Sequence, residues 1–191
     1  MLYLDAFKIY GKKNFEYIKQ LIEEVRSKRD GIKSKPTLRK SYDSQVGVFP
    51  CRSFNLGSQS VSYPHVDEQN LAQSWCSITP LGSFNPDLGG HLVLWNFRLV
   101  IKFPPGSTIL IPSALLCHSN TPIQPGEERH SIVQYVAGGI ARWVDNNHML
   151  EEDWRAQATF DEIQQKESEQ KIRWKNAVDK YTKLEELYGL Y

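Results

Sequence analysis

Ser60-Val-Ser-Tyr-Pro-His-Val-Asp67 reads as a short strand running into a turn, with His65 and Asp67 delivered at the strand end. Two further stretches answer it. Thr108-Ile-Leu-Ile-Pro112 is an apolar strand, and Ser113-Ala-Leu-Leu-Cys-His118 brings a second imidazole after it. Arg129-His-Ser-Ile-Val-Gln-Tyr-Val136 then alternates, which places Arg129, Ser131, Val133 and Tyr135 on one face of a strand. A lone His-X-Asp is more often a surface turn than a metal site. Here metal-capable and polar groups converge from three strands. Two imidazoles and one carboxylate can cap one face of a non-haem Fe(II) and leave the other open. The guanidinium of Arg129, one strand beyond His118, suits a two-pronged grip on a carboxylate such as the distal end of 2-oxoglutarate, with the Ser131 hydroxyl beside it. The bland alternative is a set of satisfied polar residues in a β-sandwich.

The residues around these strands set the fold class. From Val46 to Ala141 the chain consists of short runs rich in Val, Ile, Phe and Tyr, punctuated by Gly and Pro. That pattern predicts a mainly β core within an α+β chain, a double-stranded β-helix of the jelly-roll, cupin-like kind. Pro86-Asp-Leu-Gly-Gly90 reads as a turn whose glycines allow a tight approach to the metal site. Pro104-Pro-Gly106 is a reverse turn, and Asn120 to Glu128 is the loop joining the two functional strands.

Helices are expected at both ends. Phe7, Tyr10, Phe15, Ile18, Leu21, Ile22 and Val25 recur near a 3.6 period and predict one amphipathic helix over residues 5–28. Gly31 to Tyr42 is a basic connector in which Pro36 stops any continuing helix. Glu151 to Leu187 predicts one or two helices, with Phe160, Ile163, Ile172, Trp174, Val178, Tyr181, Leu184 and Leu187 supplying their buried faces. The expected organisation is one domain over 1–191: helix and connector at 1–45, catalytic core at 46–145 and C-terminal helices at 146–191.

Composition narrows the function class. A chain of 191 residues with net charge +1 suits a single globular core. Its apolar runs are too short and interrupted to span a membrane, and the first residues lack the apolar centre of a signal peptide, so an intracellular location is expected. Cys51, Cys76 and Cys117 are an odd set without CxxC spacing, which argues against a disulfide framework or a zinc ribbon. Cys117 is expected to be a buried small hydrophobe beside the metal ligand rather than a nucleophile. Lys8 to Lys40 holds eleven Lys or Arg against four acids, a local +7 that suits either a phosphate-facing surface or a solvated helix face. His91, His130 and His148 fall outside the ligand spacing.

His65-Val-Asp-Glu-Gln-Asn70, Gly89-Gly-His-Leu-Val-Leu-Trp95, His118-Ser-Asn-Thr-Pro122 and Arg129-His-Ser-Ile-Val-Gln-Tyr135 together resemble the Fe(II)/2-oxoglutarate dioxygenases. Within them they are most similar to the TET/JBP nucleobase oxygenases, in particular the short versions of basidiomycete fungi. The resemblance covers about residues 46–145. It implies Fe(II), 2-oxoglutarate and O2 as the reaction partners of the site, with His65, Asp67 and His118 as iron ligands and Arg129 with Ser131 as the 2-oxoglutarate clamp. It further implies that Asn70 holds, and Tyr135 stacks on, a methylated base of the 5-methylcytosine kind, in DNA in preference to RNA, in a nuclear setting. Taken as residues alone, Asn70 equally suits a turn cap and Tyr135 a core position. One position departs from the pattern: where TET-type enzymes carry a His two residues past the stacking Tyr, this chain has Ala137. The Gly-Gly-X-Leu strand is shared with prolyl hydroxylases, so an oxygenase acting on a protein side chain or a small molecule stays open, as does an inactive jelly-roll binding module.

Overall fold

The computed structural model describes residues 2–31 and 47–188. They form two compact units, one of strands from Phe49 to Val136 and one of helices drawn from the chain before and after it. Residues 32–46 lie outside the described residues, and with them most of the basic connector, Pro36, Lys33, Lys35, Arg39 and Lys40.

The β unit has seven strands: β1 (Cys51–Asn55), β2 (Cys76–Ser83), β3 (Leu92–Leu94), β4 (Leu99–Ile101), β5 (Ile109–Ile111), β6 (His118–Asn120) and β7 (Glu128–Tyr135). They make two antiparallel sheets, ordered β1-β7-β2-β5 and β4-β3-β6. The segment before His65, expected as a strand, is extended but forms no continuous ladder. Pro64 has no N–H to give, and the Ser62 N–H goes to the side-chain oxygen of Asn120 at 2.9 Å. The segment nevertheless docks on β6, since Asn120 donates its backbone N–H to the Ser62 carbonyl at 3.3 Å and His65 bridges His118. With it the smaller sheet reads 62–65, β6, β3, β4. The chain therefore switches sheets repeatedly: β1 in the larger, 62–65 in the smaller, β2 in the larger, β3 and β4 in the smaller, then β5, β6 and β7 in alternation. That winding is the double-stranded β-helix of a jelly roll, and with helices at both ends of the sequence the chain is α+β.

Alternation within the strands builds the core. Leu92 and Leu94 point inward from β3 and join Cys76, Ile78, Phe103 and Ile111, with Val133 and Tyr135 of β7 packed against the cluster. Burying each large aliphatic or aromatic side chain contributes about 1.5–3 kcal/mol, so this cluster anchors the strands that carry the site. Gly82 on β2 pairs with Arg129 on β7. Its φ is +112°, and a Cβ there would lie 2.3 Å from the Glu128 carbonyl oxygen, so only glycine lets β2 pass β7 at this point. Gly89 and Gly90 do not approach the candidate metal site as expected. Their missing Cβ atoms leave room for the Pro122 carbonyl and the Phe84 ring, which closes the turn onto the loop after β6.

The helical unit comprises α1 (Leu2–Tyr10), α2 (Lys12–Gly31), α3 (Gly138–Asp145), α4 (Glu151–Gln157), α5 (Phe160–Val178) and α6 (Leu184–Tyr188). The single helix expected over 5–28 is broken at Gly11, where the Phe7 ring would sit 2.7 Å from any Cβ. Phe7 uses that space to meet Phe15 edge to face, at 5.6 Å between centroids, while Tyr10 is half exposed. The β pattern expected as far as Ala141 ends at Tyr135, because Ile140, Ala141 and Val144 follow helical spacing in α3. Three helices, rather than one or two, follow Glu151. Thr159 opens α5 with a capping box closed by Glu162. The buried face expected of these helices is not formed: Phe160, Ile172, Trp174, Val178 and Leu184 are exposed, and only Ile163, Tyr181 and Leu187 are half-buried. The tie across this region is polar, with Lys166 bonded to Asn146 and Glu151 and lying 3.7 Å above the Trp154 ring. Among the described residues no helix is long and apolar enough to cross a membrane.

Candidate metal centre

The two histidines meet because their backbones pair. His65 donates its backbone N–H to the His118 carbonyl at 3.1 Å and accepts the His118 N–H at 2.9 Å, so both side chains leave the sheet on the same side. Their ring centroids are 4.4 Å apart. Each ring is also fixed in tautomer by the same local device, the carbonyl two residues earlier. His65 Nδ1 lies 2.7 Å from the Tyr63 carbonyl oxygen and His118 Nδ1 lies 2.8 Å from that of Leu116. A carbonyl only accepts, so each Nδ1 carries the proton and each Nε2 presents its lone pair. Burial holds His118 below the ordinary imidazole range; the Leu116 carbonyl and the Asp67 charge oppose that shift, while neighbouring His65 reinforces it. The neutral form that a metal needs is thereby favoured.

Asp67 completes the set. Its backbone N–H donates to the Ser113 carbonyl at 3.0 Å, and its Oδ1 lies 3.6 Å from His65 Nε2. One ligand atom from each of His65, Asp67 and His118 falls within 4.8 Å of the others, a fit for one divalent ion. His118 is buried and His65 exposed, so the group is closed on the sheet side and open on the other.

The open side gives onto a cavity of about 860 Å³ lined by the triad and by Asn55, Asn70, Asn120, Arg129, Ser131 and Tyr135. All seven site residues expected from the sequence therefore border one space. Arg129, only 3 % exposed, donates from Nη1 to the Ser60 carbonyl at 2.8 Å, while its buried Nε has no partner among the described residues. Burial pulls its pKa below the usual guanidinium range, yet arginine stays charged in proteins. A buried cation with a spare donor fits an anionic ligand. Ser131, also buried, accepts from Asn55 Nδ2 at 2.8 Å.

Asn70 and Tyr135 also have structural partners. Asn70 Nδ2 donates to Asp67 Oδ2 and to Ser113 Oγ, each at 3.1 Å. The Tyr135 hydroxyl lies 3.5 Å from Ser53 Oγ while its ring packs on the core. Sequence reasoning missed Asn55, Ser113 and Asn120. Asn120 was findable, since it lies two residues past His118 on the same strand face; it pins the segment before His65 by accepting from Ser62 and donating to the Ser60 carbonyl at 3.0 Å. Asn55 and Ser113 carry no signal of their own, because their contacts join residues 76 and 43 positions apart in the chain. Cys117, expected to be buried, is half-buried, whereas Cys76 is buried, its thiol pushed up to about 12 mainly by burial. His130 turns away from the cavity, and His148 lies 3.2 Å from Glu24 in the helical unit.

No family model and no curated protein matches this chain. Among solved structures it is similar to NgTET1 in complex with 5mC DNA, at 19% identity and a TM-score of 0.42, over 66% of this chain and 51% of that one. It is also similar to the 2OG complex of viral collagen prolyl hydroxylase vCPH from Paramecium Bursaria Chlorella virus-1, at 16% identity and a TM-score of 0.32, over 46% of this chain and 63% of that one. The chain thus spans about half of the first of these proteins and under two thirds of the second.

Proposed function

We propose that this chain is an Fe(II)- and 2-oxoglutarate-dependent dioxygenase whose substrate is a methylated nucleobase, 5-methylcytosine-like, in DNA or RNA. The observation that carries the oxygenase reading is the placement, in one cavity, of a tautomer-locked His65, Asp67 and His118 group beside the buried, half-satisfied Arg129. When bound, Fe(II) with 2-oxoglutarate and O2 supplies the oxidant, one oxygen atom entering a substrate C–H bond and the other the succinate left after CO2 departs. The protein's part is geometric and electrostatic. His65, Asp67 and His118 hold one face of the ion, and Arg129 with Ser131 neutralises and orients the distal carboxylate of 2-oxoglutarate. The nucleobase reading is supported by Tyr135 and Asn70 bordering the same cavity, a phenol ring for stacking and an amide oxygen for a base edge.

One observation favours a second reading, an oxygenase of a protein side chain or a small molecule. Arg129 is the single Lys or Arg among the cavity's described lining residues, while Glu68 and the exposed Phe54 and Leu56 stand with it. Phosphates are ordinarily met by several cations. The deciding experiment incubates the chain with methylated DNA and RNA, Fe(II), ascorbate and 2-oxoglutarate, and reads nucleosides by mass spectrometry. Oxidised 5-methylcytosine supports the nucleobase; succinate formed with unchanged nucleosides moves the assignment to the second reading.

A further inference from the structure

We propose that Asn70 is a positioning residue for the metal ligand Asp67, an inference that rests on the metal-centre reading above. The turn after the ligand makes this arrangement possible. Asn70 donates its backbone N–H to the Asp67 carbonyl at 2.9 Å, which closes residues 67–70 into a tight turn and swings the Asn70 side chain back toward the Asp67 carboxylate. Nδ2 then donates to Asp67 Oδ2 and to Ser113 Oγ, both at 3.1 Å. A carboxamide nitrogen has two protons, and these contacts use both.

The two oxygens of Asp67 are thereby made unequal. Oδ1 faces the imidazoles, 3.6 Å from His65 Nε2, while Oδ2 is held by the amide. A carboxylate with one oxygen tied back offers a metal the other oxygen and resists two-oxygen chelation, which would occupy a position needed for co-substrate or O2. Ser113 makes a firm anchor for the amide. It is 1% exposed, donates its N–H to the Ile111 carbonyl at 2.9 Å, and gives its own carbonyl to the Asp67 N–H at 3.0 Å. Ser113 thus holds Asp67 twice, once through the backbone and once through Asn70. A base-reading role for Asn70 through its donor would require breaking one of these bonds.

The test is Mn(II) binding to the full chain, read from the loss of the free Mn(II) electron-paramagnetic signal, with thermal melting on the same samples. Asn70→Leu keeps the volume and Asn70→Ala removes it; neither can hold Oδ2. Both should weaken Mn(II) binding by about 10–100-fold, as loss of an outer partner of a ligand typically does. Ser113→Ala leaves the Asp67 contact and removes the amide's anchor, so a smaller loss of about 3–10-fold is expected, below the full cost of a lost outer partner. It serves as the test should the Asn70 variants fail to fold. Uncoupled 2-oxoglutarate turnover should fall in step with metal occupancy and recover at saturating metal. If wild type binds Mn(II), His118→Ala does not, and the folded Asn70 and Ser113 variants bind as wild type, the positioning role is wrong. Loss of nucleobase product alone, with metal affinity and uncoupled turnover intact, would likewise overturn it and return Asn70 to the substrate. No Mn(II) binding by wild type would overturn the metal-centre reading and this inference with it.

Discussion

His65 and His118 form a hydrogen-bonded antiparallel pair, each amide bonded to the other's carbonyl at 3.1 and 2.9 Å, and this backbone contact sets two candidate metal-ligand side chains face to face across 53 residues of chain. The ligands are therefore carried by the sheet itself. A slip of one residue in this register would send one imidazole to the opposite face and dismantle the group.

The clamp is testable through Arg129→Lys. Lysine keeps the charge and loses the planar fork, which lets one guanidinium nitrogen bond the Ser60 carbonyl while other N–H groups stay available to an anion. The Michaelis constant for 2-oxoglutarate should rise by about 10–150-fold, the equivalent of about 1.5–3 kcal/mol for a lost charged hydrogen bond. An unchanged constant would place the co-substrate elsewhere.

Gly82 should tolerate no side chain. Gly82→Ala puts a Cβ against the Glu128 carbonyl at a φ of +112°, so stability should fall by about 2 kcal/mol or more, read as a lower urea midpoint. Because Gly82 pairs with Arg129, the folded fraction should also bind 2-oxoglutarate more weakly. Equal midpoints for variant and wild type would contradict the steric argument.

Glu151 gives the helical unit an acid limit. The Asn146 amide, then Lys166 and Arg155, hold its carboxyl at about 2, below the ordinary 4.5. A group whose folded pKa is depressed contributes stability above its unfolded value and loses it as pH falls through the folded one. The contribution is thus complete above pH 4.5 and fades between about 4.5 and 2. Melting curves of wild type and Glu151→Gln should differ most at neutral pH and converge across that window. A gap that stays constant down to pH 2 would rule out the titration.

Tyr135→Ala separates substrate from machinery. If the ring stacks on a base, nucleobase oxidation should drop by about 1–3 kcal/mol of binding while uncoupled 2-oxoglutarate decay continues. Binding to the polymer should weaken as salt rises, since phosphate contacts release counterions. A parallel fall in both reactions would show Tyr135 acting only as the residue that its packing against the apolar cluster of the β unit permits.

The jelly-roll class, and the convergence of the candidate residues on one cavity, were legible because their signals are local. Alternation along Arg129 to Tyr135 fixed which side chains share a face, and the polar residues of that face do border the cavity. What was illegible depends on partners distant in sequence. Gly89 and Gly90 announce a close approach, yet nothing local says that the approaching groups are Pro122 and Phe84 rather than the metal. Gly11 sits within a helical period, and only the Phe7 ring beside it explains the break. The spacing of Phe160, Trp174 and Val178 describes an apolar stripe on α5, but periodicity reports amphipathicity and not burial, and these three are exposed.

The most direct measurement of the central account is succinate formation from 2-oxoglutarate by wild type and by His65→Ala, Asp67→Ala and His118→Ala, with and without Fe(II), each checked for folding by circular dichroism. These candidate ligands border an open cavity and lie outside the apolar cluster, so the variants should fold. The account predicts iron-dependent succinate from wild type and none above background from the three folded variants. Wild-type rates in all three, or no iron-dependent succinate from wild type, would contradict it.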